Sequence, residues 1–325
     1  MHQTPSRRIE AIDLARGVAL VAMAIYHFTW DLEFFGYADP GLTATGGWRI
    51  FARCIAGSFL FLVGVSLMLA HGERFRAKGY LRRLALVAGA AAAISIATWI
   101  AVPDGFIFFG ILHQIALASV LGLAFLRVPA VLTLLVAAAV VAAPFFLRSE
   151  FFDHPAWWWL GLSSTNPRSN DYVPLFPWFG AVLAGLAAAK LAGSAGLLDR
   201  LARMQPGRWS APLQFAGQHS LTVYLIHQPL LIGCVWLFAQ IFPPPQIPRE
   251  TQFLRACERQ CATDRDAAFC VRYCECMIES LQRDGLVDRV FAGGADPDLQ
   301  AQLDGMALQC TFETEDAAAP QGETQ

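Results

Sequence analysis

The sequence predicts an all-α protein: a polytopic membrane bundle of about seven transmembrane helices, N-terminus inside, followed by a small disulfide-linked α-hairpin tail outside. Three observations carry that expectation. Of 325 residues, 55% are hydrophobic and 15% charged, with 24 Phe and 9 Trp, which is a membrane composition. Apolar runs of about 20 residues, the length a bilayer core requires, recur as far as Ile241. Six of the eight cysteines then cluster beyond Glu250, in a segment with few long apolar runs.

The formal net charge of -2 conceals two opposed halves: 18 Lys+Arg stand against 11 Asp+Glu through Arg249, and 6 against 15 from Glu250 onward. The basic residues sit in short loops between apolar runs and not on a soluble face, which excludes a nucleic-acid footprint. The chain therefore divides into a membrane domain at 1–242, a stiff Pro-rich linker at 243–249, a cysteine-rich helical domain at 250–311 and a disordered tail at 312–325.

The spans fall at roughly 14–36, 48–70, 84–102, 106–126, 129–147, 174–192 and 211–240, with Pro103 and Pro129 marking the two tightest junctions. Basic residues precede the first run as in a signal peptide, but no A-x-A-like site follows and the run carries His27 and Asp31, so it reads as an uncleaved span. With the N-terminus inside, inner segments hold Arg7, Arg8, Arg74, Arg76, Lys78, Arg82, Arg83, Arg127, Lys190, Arg200, Arg203 and Arg208, whereas the outer ones before the tail hold Arg49, Arg148 and Arg168. That bias sets the orientation. Seven crossings then put everything after Phe242 outside.

Cys54 and Cys234 lie in apolar spans and read as buried thiols. In the tail, Cys257 and Cys261 share one helix face, as do Cys270 and Cys274. A hairpin turning near Thr263 to Asp266 joins Cys257 to Cys274 and Cys261 to Cys270, leaving Cys276 for Cys310. Tetrahedral zinc on four thiolates is the competing reading; the outside position favours oxidation.

The first span poses the chemical question. Asp13, Arg16, Leu20, Ala24, His27 and Asp31 follow at steps of three or four and so share one stripe. An ionisable group at the bilayer centre costs about 2.5 to 3.5 kcal/mol on insertion scales, so that stripe should face protein or a wet cavity. His27 and Asp31, one turn apart, read as a general base with its orienter or as a helix-stabilising polar pair. His113 and His227 lie at similar depth in other spans, where each is either a satisfied core residue or a further lining of the same cavity. Asp13 and Arg16 stand at the inner mouth, paired structurally or gripping the phosphates of an anionic donor. The basic loop from His71 to Arg83 reads as topology signal. Arg53, one turn into the second span, and the segment HPAWWWLGLSSTNPRSNDYVPLFPWFG, with Asp171 and Trp178, are the expected outer substrate site; its three Trp form an interfacial belt. No phosphate-cradling glycine loop, G-x-S-x-G or metal-spaced His cluster occurs.

Five separated motifs, IDLARGVALVAMAIYHFTWDL, GSFLFLVGVSLML, FGILHQIALAS, YVPLFPWFGAVLAG and HSLTVYLIHQP, occur in that order from about Arg8 to Ile241. In this the chain resembles the bacterial membrane branch of the heparan-alpha-glucosaminide N-acetyltransferase catalytic-domain family. Its D-x-x-R-G with a His about ten residues later is also similar to the wider membrane acyltransferases. The resemblance implies acetyl transfer across the bacterial inner membrane, from cytosolic acetyl-CoA as co-substrate, without a metal, to an amino or hydroxyl group of an extracytoplasmic sugar or glycan. It implies that His27 is the base or transient acetyl carrier oriented by Asp31, that His113 and His227 line the cavity, and that Arg16, with Asp13, lies toward the CoA phosphates. The expected partners are the lipid bilayer, acetyl-CoA and the sugar acceptor, with room for a homo-oligomer and none for nucleic acid. The cysteine tail, periplasmic on this topology, lies outside the resemblance. Two other classes compete: a proton-coupled transporter using the buried His and Asp as a relay, and a scaffold whose cysteine hairpin binds a periplasmic partner.

Overall fold

The computed structural model describes residues 9–318, apart from 73, 205, 245–247 and 293–295. Arg7 and Arg8, the middle of the expected linker and positions 319–325 of the expected tail lie outside the described residues. Among the described residues, all regular structure is helical. In chain order the helices are α1 (Glu10–Phe34), α2 (Gly46–His71), α3 (Ala77–Ala101), α4 (Ile111–Gly122), α5 (Ala130–Leu147), α6 (Leu175–Ser194), α7 (Leu197–Arg203), α8 (Ala211–Gln218), α9 (Ser220–Ile241), α10 (Arg249–Cys261), α11 (Ala267–Arg283), α12 (Val287–Ala292) and α13 (Pro297–Ala318).

Local sequence accounts for many of these limits. Glu10 and Asp13 occupy the first turn of α1, where a helix dipole favours negative charge. Helix α3 ends where the Val102 N–H closes on Thr98 and Pro103 follows, and Pro129 stands just before α5. Among the described residues six helices, α1, α2, α3, α5, α6 and α9, are long and apolar enough to cross a membrane.

The expected fourth span, 106–126, is shorter than its apolar run. Helix α4 has 12 residues and is extended by a 3-residue turn of 3-10 helix, about 22 Å in all against about 30 Å of hydrocarbon. The preceding backbone is claimed by other partners: the Ser95 hydroxyl donates to Ile107 O at 2.5 Å, Val173 N–H to Phe109 O at 3.0 Å and Asn170 N–H to Gly105 O at 2.9 Å. The expected seventh span, 211–240, is likewise two elements. The His219 N–H folds back to Phe215 and Ala216, ending α8 before α9 begins at Ser220. Cys54 and Cys234 are exposed and not buried, small thiols on the outer faces of apolar helices.

The chain forms two compact units, Met1–Ala24 with Ala52–Gln228, and Ile25–Phe51 with Pro229–Gln325. This differs from the expected division at 242, because the connection between α1 and α2 makes its contacts with the cysteine-rich segment. In the first unit, α2, α4, α5 and α6 bury Leu60, Val63, Ile111, Ala118, Ala137, Phe179, Val182 and Leu183 in one cluster. Lipid is as apolar as leucine, so close packing and not water exclusion must hold such helices together. Glycine supplies it. A Cβ on Gly64 would stand 1.9 Å from Val182 O, and one on Gly185 2.0 Å from Phe61 O, so α2 and α6 touch backbone to backbone.

The second unit is held differently. Disulfides join Cys257 to Cys274, Cys261 to Cys270 and Cys276 to Cys310, the pairs that the hairpin predicts; no thiol of that segment is left for zinc. Each closes a loop whose entropy in the unfolded chain is worth about 3 kcal/mol on the chain-entropy estimate. Ile278, Leu281, Leu286 and Leu299 form the small core beside them. The expected disorder from 312 is overturned as far as Ala318. Helix α13 continues there because Thr314 is buried and bonded to Cys310 O, and Glu315 pairs with Arg265 at 3.0 Å.

Candidate active site

In the first unit, α1 is pinned by α8. A Cβ on Gly17 would lie 2.0 Å from Leu213 O, and one on Gly217 1.9 Å from Asp13 O. This contact buries Asp13 to 3% exposure. Burying a carboxylate is costly without a partner, and Arg16, one turn on, supplies one: its Nη1 donates to Asp13 Oδ1 at 3.1 Å and its Nη2 to Ser66 Oγ of α2 at 2.5 Å. Ser66 passes the chain on to Leu62 O.

The Arg16 guanidinium faces a cavity of about 490 Å³, lined also by Ser66, Arg82, Arg83, Gln218, His219 and Tyr224. Arg16 and Arg83 act on one another electrostatically. Among the described residues neither Arg82 nor Arg83 has an ion-pair partner. Three guanidinium groups around one opening, with one internal carboxylate, leave an excess of positive charge and planar forks suited to phosphate oxygens. The residues suit a ligand that carries phosphate groups.

His113 has a different environment. The Gly110 N–H donates to its Nδ1 at 3.2 Å, so that nitrogen is an acceptor and a neutral ring carries its proton on Nε2. Nε2 lies 3.2 Å from Ser95 Oγ, whose own proton goes to Ile107 O. Nδ1 is thus engaged in capping α4, and Nε2 in holding Ser95 of α3. Asp171 completes the cap: its Oδ2 accepts the Ile111 N–H at 2.8 Å. Gly110 makes room, since a Cβ there would stand 2.3 Å from that same oxygen. Part of the Asp171 residue remains exposed, but its carboxyl is enclosed, and burial pushes it up to about 6 against the opposing effect of the Ile111 bond.

His227, on α9, bonds Tyr224 O through Nδ1 at 2.6 Å and lies 5.6 Å from the Tyr224 ring. Tyr224 itself lines the arginine cavity, so it connects that cavity to His227. The loop expected as a substrate site is ordered by its own residues. Asp153 accepts from Ser163 Oγ, Ser164 N–H and Ser164 Oγ at 2.5 to 2.7 Å, and these bonds, Ser163 first, hold its carboxyl below the usual range. Arg53 is exposed on α2, and Trp178 packs against the core cluster on α6. Arg53, Asp171 and Trp178 therefore have three separate environments.

In the second unit, Asp31 is fully buried one turn beyond His27 on α1. The Tyr26 ring stands edge-on to His27 at 5.7 Å, and the Tyr26 hydroxyl reaches Thr43 O at 3.4 Å. Glu33 holds the following connection, accepting from Gly41 N–H, Thr43 N–H and Thr43 Oγ1 at 2.6 to 2.9 Å.

Of the expected site residues, the structure brings Asp13 to Arg16 and joins His113 to Asp171 through the α4 N-terminus. His27 and Asp31 belong to the second unit, His113 and His227 to the first. Sequence reasoning missed Arg82 and Arg83 as cavity residues, taking their loop as topology signal. It also missed Ser66, Ser95, His219 and Tyr224. The available signal was their position directly before the apolar run that begins at Leu84; the structure starts α3 at Ala77 and so carries both arginines on the helix.

Residues 8–229 match the family model described as heparan-alpha-glucosaminide N-acetyltransferase, catalytic. No curated protein and no solved structure matches the chain.

Proposed function

The chain belongs to the heparan-alpha-glucosaminide N-acetyltransferase catalytic family, and from that premise we propose that it moves an acetyl group from acetyl-CoA to an amino or hydroxyl group of an extracytoplasmic sugar. The observation that carries this reading is the arginine cavity: Arg16, Arg82 and Arg83 converge from α1 and α3 on one opening large enough for part of a nucleotide thioester. Its arginines suit the basic side of the charge pattern, taken as cytosolic, and three disulfides suit an oxidising, periplasmic compartment, a placement that requires the short helix α4 to cross as a seventh span beside the six long ones.

The chemistry is a thioester acyl transfer. The acceptor lone pair attacks the thioester carbonyl, the C–S bond breaks, and CoA leaves as thiolate. His27, oriented by Asp31, takes the acceptor proton and returns it to the departing sulfur. A group that donates a hydrogen bond to the carbonyl oxygen stabilises the tetrahedral oxyanion; His227 spends its Nδ1 proton on Tyr224 O, so its neutral ring presents Nε2 as an acceptor and does not fill that role. His113 acts as a positioning residue, because one nitrogen serves the α4 cap and the other holds Ser95 of α3.

The test is transfer of labelled acetate from acetyl-CoA in inside-out membrane vesicles supplied with envelope glycans, comparing wild type, His27→Ala and Arg83→Ala. Label should reach sugar in the wild type, vanish in His27→Ala, and in Arg83→Ala return at raised acetyl-CoA concentration. Equal transfer by wild type and His27→Ala would remove His27 from the mechanism. No consumption of acetyl-CoA by the wild type across a broad acceptor panel would turn attention to a proton-coupled transporter.

A further inference from the structure

The segment that the family match leaves out makes one contact of unusual specificity within the second unit. Arg255 and Arg259 lie one turn apart on α10, and Cys257 and Cys261 alternate with them, about 200° away around the helix. Disulfides to α11 hold the cysteine face, which turns the arginine face toward the connection between α1 and α2. There Arg255 Nη1 donates to Asp39 Oδ1 at 2.9 Å and Arg259 Nη2 to Asp39 Oδ2 at 2.8 Å. The other arm of Arg259 reaches two successive carbonyl oxygens, Asp39 O at 3.3 Å and Pro40 O at 3.1 Å.

An exposed ion pair attracts without choosing a conformation. A guanidinium that reads one carboxylate and two consecutive carbonyls fits only one backbone geometry. The same strap, residues 39–45, is held from its opposite side by Glu33, and it ends against the site: Thr43, almost wholly buried, offers its carbonyl to the Tyr26 hydroxyl, and the Tyr26 ring stands against His27. The Arg255 hydrogen bond, and then that of Arg259, hold the Asp39 carboxyl below the usual carboxylate range, so the grip is ionised throughout the neutral range.

We propose that Arg259, assisted by Arg255, is a positioning residue for acetyl transfer: through Asp39 it fixes the strap 39–45, and the strap fixes Tyr26 against His27. The cysteine-rich segment is then a buttress for the catalytic histidine, and its disulfides set the direction in which the arginines point. The inference rests on the acyltransferase reading for its kinetic consequence only; the positioning of His27 has its own readout.

The experiment uses the full chain in lipid nanodiscs, comparing wild type, Arg259→Ala, Arg259→Lys, Asp39→Ala and the Arg259→Ala/Asp39→Ala double variant. Amide exchange of the strap and the rate of His27 carbethoxylation are read by mass spectrometry beside kcat and the KM for acetyl-CoA. Arg259→Ala and Asp39→Ala should each speed strap exchange about tenfold and lower kcat about tenfold or more by misplacing the base, with KM for acetyl-CoA unchanged. The double variant should be no worse than either single one, because both cut the same connection. Arg259→Lys, which keeps the charge and loses the fork, should recover only part of kcat. Unchanged strap exchange would overturn the proposal, as would a loosened strap with wild-type kcat and wild-type His27 reactivity. If the wild type transfers no acetyl group, the acyltransferase reading falls, and His27 reactivity alone decides: a wild-type rate in Arg259→Ala would overturn the positioning role.

Discussion

The arginine cavity and the His113 cluster are two groups of polar residues in one apolar unit, and they use their hydrogen-bonding capacity in opposite ways. At the cavity, Arg16 is balanced by Asp13 and Ser66, while Arg82 and Arg83 add charge that no ion pair among the described residues takes up. At the cluster, both nitrogens of His113, the Ser95 hydroxyl and an Asp171 oxygen are engaged in ending the extended strip 106–110 and starting α4. The difference teaches that an ionisable residue in a membrane span is no guide to catalysis by its type alone. What matters is whether the scaffold has already consumed its donors and acceptors.

The comparison breaks hardest at the cavity wall. Gly217→Leu drives a side chain into the α1 backbone at Asp13, an overlap beyond the roughly 1 to 3 kcal/mol of ordinary overpacking, and folded protein should be lost from detergent extracts by size-exclusion chromatography. Next in size, Arg83→Ala should raise the KM for acetyl-CoA about 10- to 100-fold, the loss of one charge-assisted contact to phosphate, while the unfolding temperature stays near that of the wild type. A raised unfolding temperature with unchanged KM would make Arg83 a source of repulsion alone.

His113→Ala should behave the other way. It leaves the Gly110 N–H without its acceptor, while the Ser95 hydroxyl keeps its bond to Ile107 O, which costs about 1 to 3 kcal/mol of stability; denaturant unfolding measures it, and KM for acetyl-CoA should hold. A His113→Ala protein as stable as wild type but unable to transfer acetyl would reverse the comparison and return His113 to the chemistry.

The effect confined to the narrowest conditions is a pH dependence. The Asp171 carboxyl is raised from 3.8 to about 6 in the folded protein, so between roughly pH 4 and 6 the folded state binds more protons than the unfolded one. Stability therefore falls as pH rises through that window, by up to about 3 kcal/mol, and is recovered on acidification. Asp171→Asn should flatten that part of the stability profile in denaturant titrations at pH 4.5 and 6.5; an identical slope in both proteins would mean that Asp171 does not titrate there.

The boundary between what was legible in the sequence and what was not follows from range. The helical bundle, the α10–α11 turn and the three cysteine pairs could be read in advance because each depends on apolar length or on spacings of three and four along one helix. Helix α4 was overextended because Phe106 to Phe109 are as apolar as a span, and only the bonds to Ile107, Phe109 and Gly105 from residues far along the chain reveal that this strip is not helical. The polar loop with Ser163 and Ser164 suggested a binding surface, yet its hydroxyls turn inward to Asp153.

The sequence by itself determined the membrane class, the family, the oxidised hairpin and the stripe on α1 that carries Asp13, Arg16, His27 and Asp31. Those are properties of composition and periodicity, which one chain displays without knowing its neighbours. The tertiary structure decided that Arg82 and Arg83 join Arg16, that His113 is a cap, and that Arg259 grips Asp39. Such partners are chosen where backbones cross, at Gly17 against Leu213 and Gly217 against Asp13 in one unit and along the disulfide-held face of α10 in the other, and a crossing depends on packing between residues that no local pattern links.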